Sequence, residues 1–170
     1  RGTRCNFGGS NVAAAVGDYP VAVTNALGLG LTNYAISYVA GTFTVTPRTL
    51  TVTANSSNKV YGITRTFAGT EFTTVGLTNG NTVTNLTLTS SGTNAASPIG
   101  VYSIGATNAL GSGLTNYTIG YVAGTLTVTP ASLTVTANSS NKVYGTTRIF
   151  AGTEFAITSG TLIGGNTLTN

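Results

Sequence analysis

Asp18, Glu71 and Glu154 are all the acid that this 170-residue chain carries, and it has no His, no Trp, no Met and one Cys. General acid–base catalysis, metal ligation and triad nucleophiles all draw on those side chains. No carboxylate pair can be assembled locally, so the composition argues against an enzyme and designates no catalytic, cofactor-binding or metal-ligating residue. One constellation could still do chemistry: Lys59 with Glu71, repeated as Lys142 with Glu154, in an Asn-rich setting. Buried together, a Lys, an Asn and an acid can form an isopeptide bond with loss of ammonia. At a surface, Lys59, Arg65 and Glu71 are an ion-pair group worth under about 1 kcal/mol, and that is the expectation here.

Other motifs read as structure. Glycine-rich 28–30 and 111–113 lack the Lys and the following helix of a phosphate loop, so they are expected to be turns. Calcium loops need several acids, and Asp18 is the sole Asp. Tyr61-Gly62 and Tyr144-Gly145 read as packed aromatics with the hydroxyl at the rim. Asn55, Asn85, Asn116 and Asn138 open N-x-[ST] triplets, expected to be incidental.

Seven Lys and Arg give a formal charge of +4. They are scattered, with only Arg1 and Arg4 close together, so no nucleic-acid partner is expected. Cys5 has no internal partner, which leaves its role and the redox compartment open. No apolar stretch approaches the ~20 residues of a membrane span, and any secretion signal is expected upstream of Arg1.

The elements that must carry these residues repeat. The text at 31–72 recurs at 114–155 with only seven substitutions, so that Leu31 maps to Leu114 and Phe72 to Phe155. The register extends backward to 8–17 against 91–100. It extends forward, after a two-residue insertion, to 80–85 against 165–170. A spacing of 83 exceeds a solenoid coil and approaches the smallest independent domains. Within the unit, TFTVT at 42–46 and LTVTA at 50–54 alternate with period two around Pro47, which predicts two half-buried strands. YAISYV at 34–39 and its copy from Tyr117 predict another, with Tyr34, Ile36 and Tyr38 on one face. Weaker strands are expected at 67–72, 82–88 and 101–104, with no helix of ten residues. Thr, Gly, Asn and Ser make up about half the chain, a composition that favours strands and turns.

Taken in order, LTVTAN at 50–55, KVYG at 59–62, GVYSI at 100–104, NYTI at 116–119 and GTLTVT at 124–129 resemble the MBG domain of the YGX type. Members commonly carry Pro shortly after Tyr-Gly, where this chain has Arg65 and Arg148. The resemblance implies tandem arrays in large secreted or surface proteins of bacteria, often adhesin-like. In the family's phase, 48–130 is one complete repeat. Residues 1–47 are then the C-terminal half of a preceding repeat, and 131–170 the N-terminal half of the next.

The expected fold is therefore all-β, with tandem small domains of about 83 residues, either an immunoglobulin-like sandwich or an open β-grasp-like unit. The expected role is an extracellular structural module of a bacterial stalk, adhesin or filament. Its half-repeats are completed head to tail by neighbouring copies or by continuous chain. The alternative is an adhesin module binding a surface glycan or a host protein.

Overall fold

The computed structural model describes residues 4–169. Its strands, in chain order, are β1 (Arg4–Phe7), β2 (Gly17–Thr24), β3 (Gly41–Val45), β4 (Arg48–Ala54), β5 (Ser57–Val60) and β6 (Phe72–Val75). They continue with β7 (Thr82–Thr89), β8 (Gly100–Ser112), β9 (Tyr117–Val122), β10 (Gly124–Thr129), β11 (Thr134–Ala137) and β12 (Phe155–Ser159). The helical content is two 3₁₀ turns, Leu31–Asn33 and Leu114–Asn116, each entered through a left-handed glycine, Gly30 and Gly113. The all-β expectation holds, with no helix of seven residues or more.

Four small sheets run β1-β2-β3, β6-β4-β9, β5-β10-β8-β7 and β11-β12. Two pairs are parallel. β4 lies beside β9 with Arg48 opposite Tyr117, and β5 lies beside β10 with Ser57 opposite Leu126. A parallel pair needs a long crossover, and here the pairs join the opening of the 48–130 stretch to its end. β8 runs antiparallel to β10, Ile104 opposite Gly124.

The chain clusters into two compact units, both discontinuous in sequence. The first takes the chain up to Thr53 with Phe72–Thr87 and Thr107–Val122; the second takes Ala54–Glu71, Leu88–Ala106 and everything from Ala123. In the first, the alternation of β4 turns Leu50 and Val52 inward, and Leu86 and Tyr117 are buried as well. In the second, Leu126 and Val128 alternate inward on β10, and Ile104, Ala106 and Ala54 are buried. Removing a Leu or Ile side chain from water contributes about 1.5–3 kcal/mol. In the second unit, Gly124 is required by a close approach, because a Cβ there would lie 2.6 Å from the Ala54 carbonyl oxygen.

Two strand expectations fail. Residues 34–39 form no strand, although the near-identical Tyr117–Val122 is β9. Alternation makes a strand only when a ladder partner is present. β9 has β4, from the opening of the same repeat, and 34–39 has no such counterpart among the described residues. Residues 67–71 are a loop, and the strand β6 starts at Phe72.

Candidate functional site

The surface ion-pair expectation holds for Arg65 with Glu71 and fails for Lys59. It lies on β5 with only 7 % exposure, and its ammonium donates to the carbonyl oxygens of Ile63, at 3.0 Å, and Asn94. Burying an ammonium costs least where acceptors meet its donors, and two main-chain carbonyls do so here. Glu71 is engaged elsewhere. Its carboxylate accepts the backbone N–H groups of Ala68, Gly69 and Thr70 at 3.0–3.1 Å, and Arg65 approaches it at 3.8 Å. The hydrogen bond from Ala68, followed by those of the neighbouring amides, holds the Glu71 carboxyl below its ordinary range against the opposing effect of burial. Arg65 also stacks over Phe67, 5.5 Å from the ring centre.

The same loop recurs in the second copy. Glu154 accepts from Ala151 and Gly152 at 2.9 Å, its carboxyl is likewise lowered, chiefly by Ala151, and Arg148 stacks over Phe150 at 5.4 Å. Lys142, however, is exposed and reaches only the Thr146 carbonyl, at 3.4 Å. Neither lysine is held by an Asn side chain in the contacts described. Tyr61 meets the expectation of a half-buried ring with its hydroxyl at the rim, where Asn166 donates to it at 3.2 Å. Tyr144 departs from it and is fully exposed.

A second cluster forms around Tyr117, buried at 9 % exposure. Its hydroxyl accepts from the Thr78 backbone N–H at 3.0 Å and from the Asn81 amide at 3.1 Å, and donates to the Thr78 carbonyl at 3.2 Å. Contacts with the Thr78 hydroxyl first, then Asn81, pull this phenol below its ordinary range. The 78–81 turn that supplies them carries left-handed Asn79 and Gly80. Beside it opens a cleft of ≈ 390 Å³ lined by Arg48, Thr78, Asn79, Asn81, Asn116 and Tyr117, with Val12, Val16 and Val45 as its apolar wall. Sequence reasoning missed it because its polar residues are spread from Arg48 to Tyr117. The signal available was that Arg48 has Ala131 at the matching position of the other copy.

The widest contrast separates equivalent residues. Leu50 is fully buried and Leu133 is 37 % exposed; Tyr117 is buried and Tyr34 is 72 % exposed. Val52 against Val135 and Leu126 against Phe43 follow the same rule. All nine buried apolar side chains among the described residues lie between Leu50 and Val128.

That stretch coincides with a known domain. The family model of the MBG domain (YGX type) matches residues 50–127. No curated protein and no solved structure matches the chain. The matched stretch runs from the middle of β4 to the middle of β10, and takes in Lys59, Glu71 and Tyr117. Among the described residues no helix is long and apolar enough to cross a membrane.

Proposed function

We propose that this chain is a non-enzymatic structural module of a secreted or cell-surface repeat array, built from MBG units and serving as part of a stalk or filament. One observation carries it: Leu50, Val52, Tyr117 and Leu126 are buried, while their equivalents Leu133, Val135, Tyr34 and Phe43 are exposed. An exposed half-core and unpaired strand edges are unfavourable alone. Like sequence completes them, whether it belongs to a neighbouring copy or to further repeats of one polypeptide.

The register of the MBG domain then supplies the pairing. Arg48 opposite Tyr117 and Val52 opposite Tyr121 translate, through the repeat, into Ala131 opposite Tyr34 and Val135 opposite Tyr38. The 34–39 segment thereby gains the parallel partner it lacks. The MBG match supports an extracellular setting, and the sparse titratable groups suit a surface whose cohesion ignores pH between neutrality and mild acid. Electron microscopy of the native material tests this reading. Linear fibres or beaded stalks are the expected image, and compact isolated monomers at all concentrations contradict it.

A further inference from the structure

The cleft beside Tyr117 is equipped beyond what packing requires. Arg48 lines it, is exposed, and has no carboxylate within ion-pair distance among the described residues, where the one ion pair is Arg65 with Glu71. Three carboxamides are fixed around it with known atoms committed. Asn116 accepts the Val16 backbone N–H through Oδ1 at 2.8 Å, and its Nδ2 retains donor capacity. Asn79 donates through Nδ2 to the Val12 carbonyl at 2.9 Å, and Asn81 through Nδ2 to Tyr117, so each keeps an Oδ1 acceptor. The Tyr117 hydroxyl is fully engaged and orients Asn81. None of the three acids of the chain lines the cleft.

We propose that this cleft binds a carboxylate-bearing saccharide unit. A single guanidinium presents the forked donors that match one carboxylate. Pre-oriented amide donors and acceptors suit a ring carrying several hydroxyls, and the valines offer an apolar wall to its C–H face. The volume lies within the range of small-ligand sites.

The equivalent position in the second unit sharpens the assignment. There a cleft of ≈ 230 Å³ has Ala131, Leu133, Leu162 and Ile163 on its wall beside the polar Tyr61 and Asn166. Ala131 replaces Arg48. The turn closed by Asn166 N–H to Ile163 O matches that closed by Asn81 N–H to Thr78 O, so Ile163 stands for Thr78 and the left-handed Gly164 for Asn79. The cation and two polar groups are gone while Asn166 keeps the place of Asn81, so the guanidinium is what distinguishes the first cleft.

The test is a titration of the isotopically labelled chain, followed by amide resonances, with digalacturonate as probe and with acetate and neutral galactobiose as controls. Saturable shifts confined to Arg48, 78–81 and 116–117 are expected with digalacturonate. Arg48→Ala should weaken them at least about tenfold, with partial recovery in Arg48→Lys, and Lys142→Ala should leave them unchanged. Should Arg48→Ala lose its resonance dispersion, Arg48→Gln removes the charge at similar length and carries the test. The proposal is overturned by absence of saturation, by equal binding of acetate (an adventitious ion only), by equal binding of galactobiose, or by indifference to the loss of Arg48.

Discussion

The ammonium of Lys59 is buried against the main-chain carbonyl of Asn94, 35 residues further along the chain. A charged side chain thus ties the loop after β7 to β5. Its counterpart Lys142 has the same neighbours in sequence and is exposed.

This pair makes a matched test. Lys59→Met leaves the carbonyls of Ile63 and Asn94 without their donor, and an unpaired buried polar group costs about 1–3 kcal/mol. Lys142→Met should stay within about 0.5 kcal/mol of the parent. Chemical denaturation of both variants checks the difference.

Glu71 sets the acid limit of stability. Its carboxyl sits below the ordinary 4.5 because Ala68 and the adjoining amides favour the anion. A depressed folded-state pKa contributes stability that is fully present above the unfolded value and is lost as pH falls through the folded one. Stability should therefore hold from neutrality to about pH 5 and decline below about 4.5, the Glu154 loop acting in the same direction. Glu71→Gln should flatten that acid limb, as read by thermal unfolding at stepped pH.

Tyr117→Phe removes a buried hydroxyl that serves the Thr78 amide and carbonyl and the Asn81 side chain. The loss is expected to be about 1–3 kcal/mol. Tyr34→Phe, at the equivalent exposed position, should be nearly silent in the dissociated chain. Urea midpoints of the two variants give the comparison.

Much of the fold was legible. Period-two alternation located β3 and β4, where Phe, Leu or Val alternate with Thr. The spacing of near-identical text marked the repeat. What failed depended on distant chain. The 34–39 segment has the pattern of β9 and no strand, since pairing is decided by a segment remote in the sequence, as β4 is from β9. β5, SNKV, carries a charge at its inward position, which reads as surface until the carbonyls of Ile63 and Asn94 are seen around it. The cleft at Arg48 is assembled from turns and strand ends that sequence order separates. The Tyr117 hydroxyl network is local only in space.

The central claim is that the exposed halves are completed by like sequence, and amide hydrogen exchange at 34–39 in the native assembled material tests it most directly. The account predicts protection comparable to that of Tyr117–Val122, the strand that already has its parallel partner. Exchange at 34–39 as fast as in an unstructured loop, while Tyr117–Val122 stays protected, would contradict it.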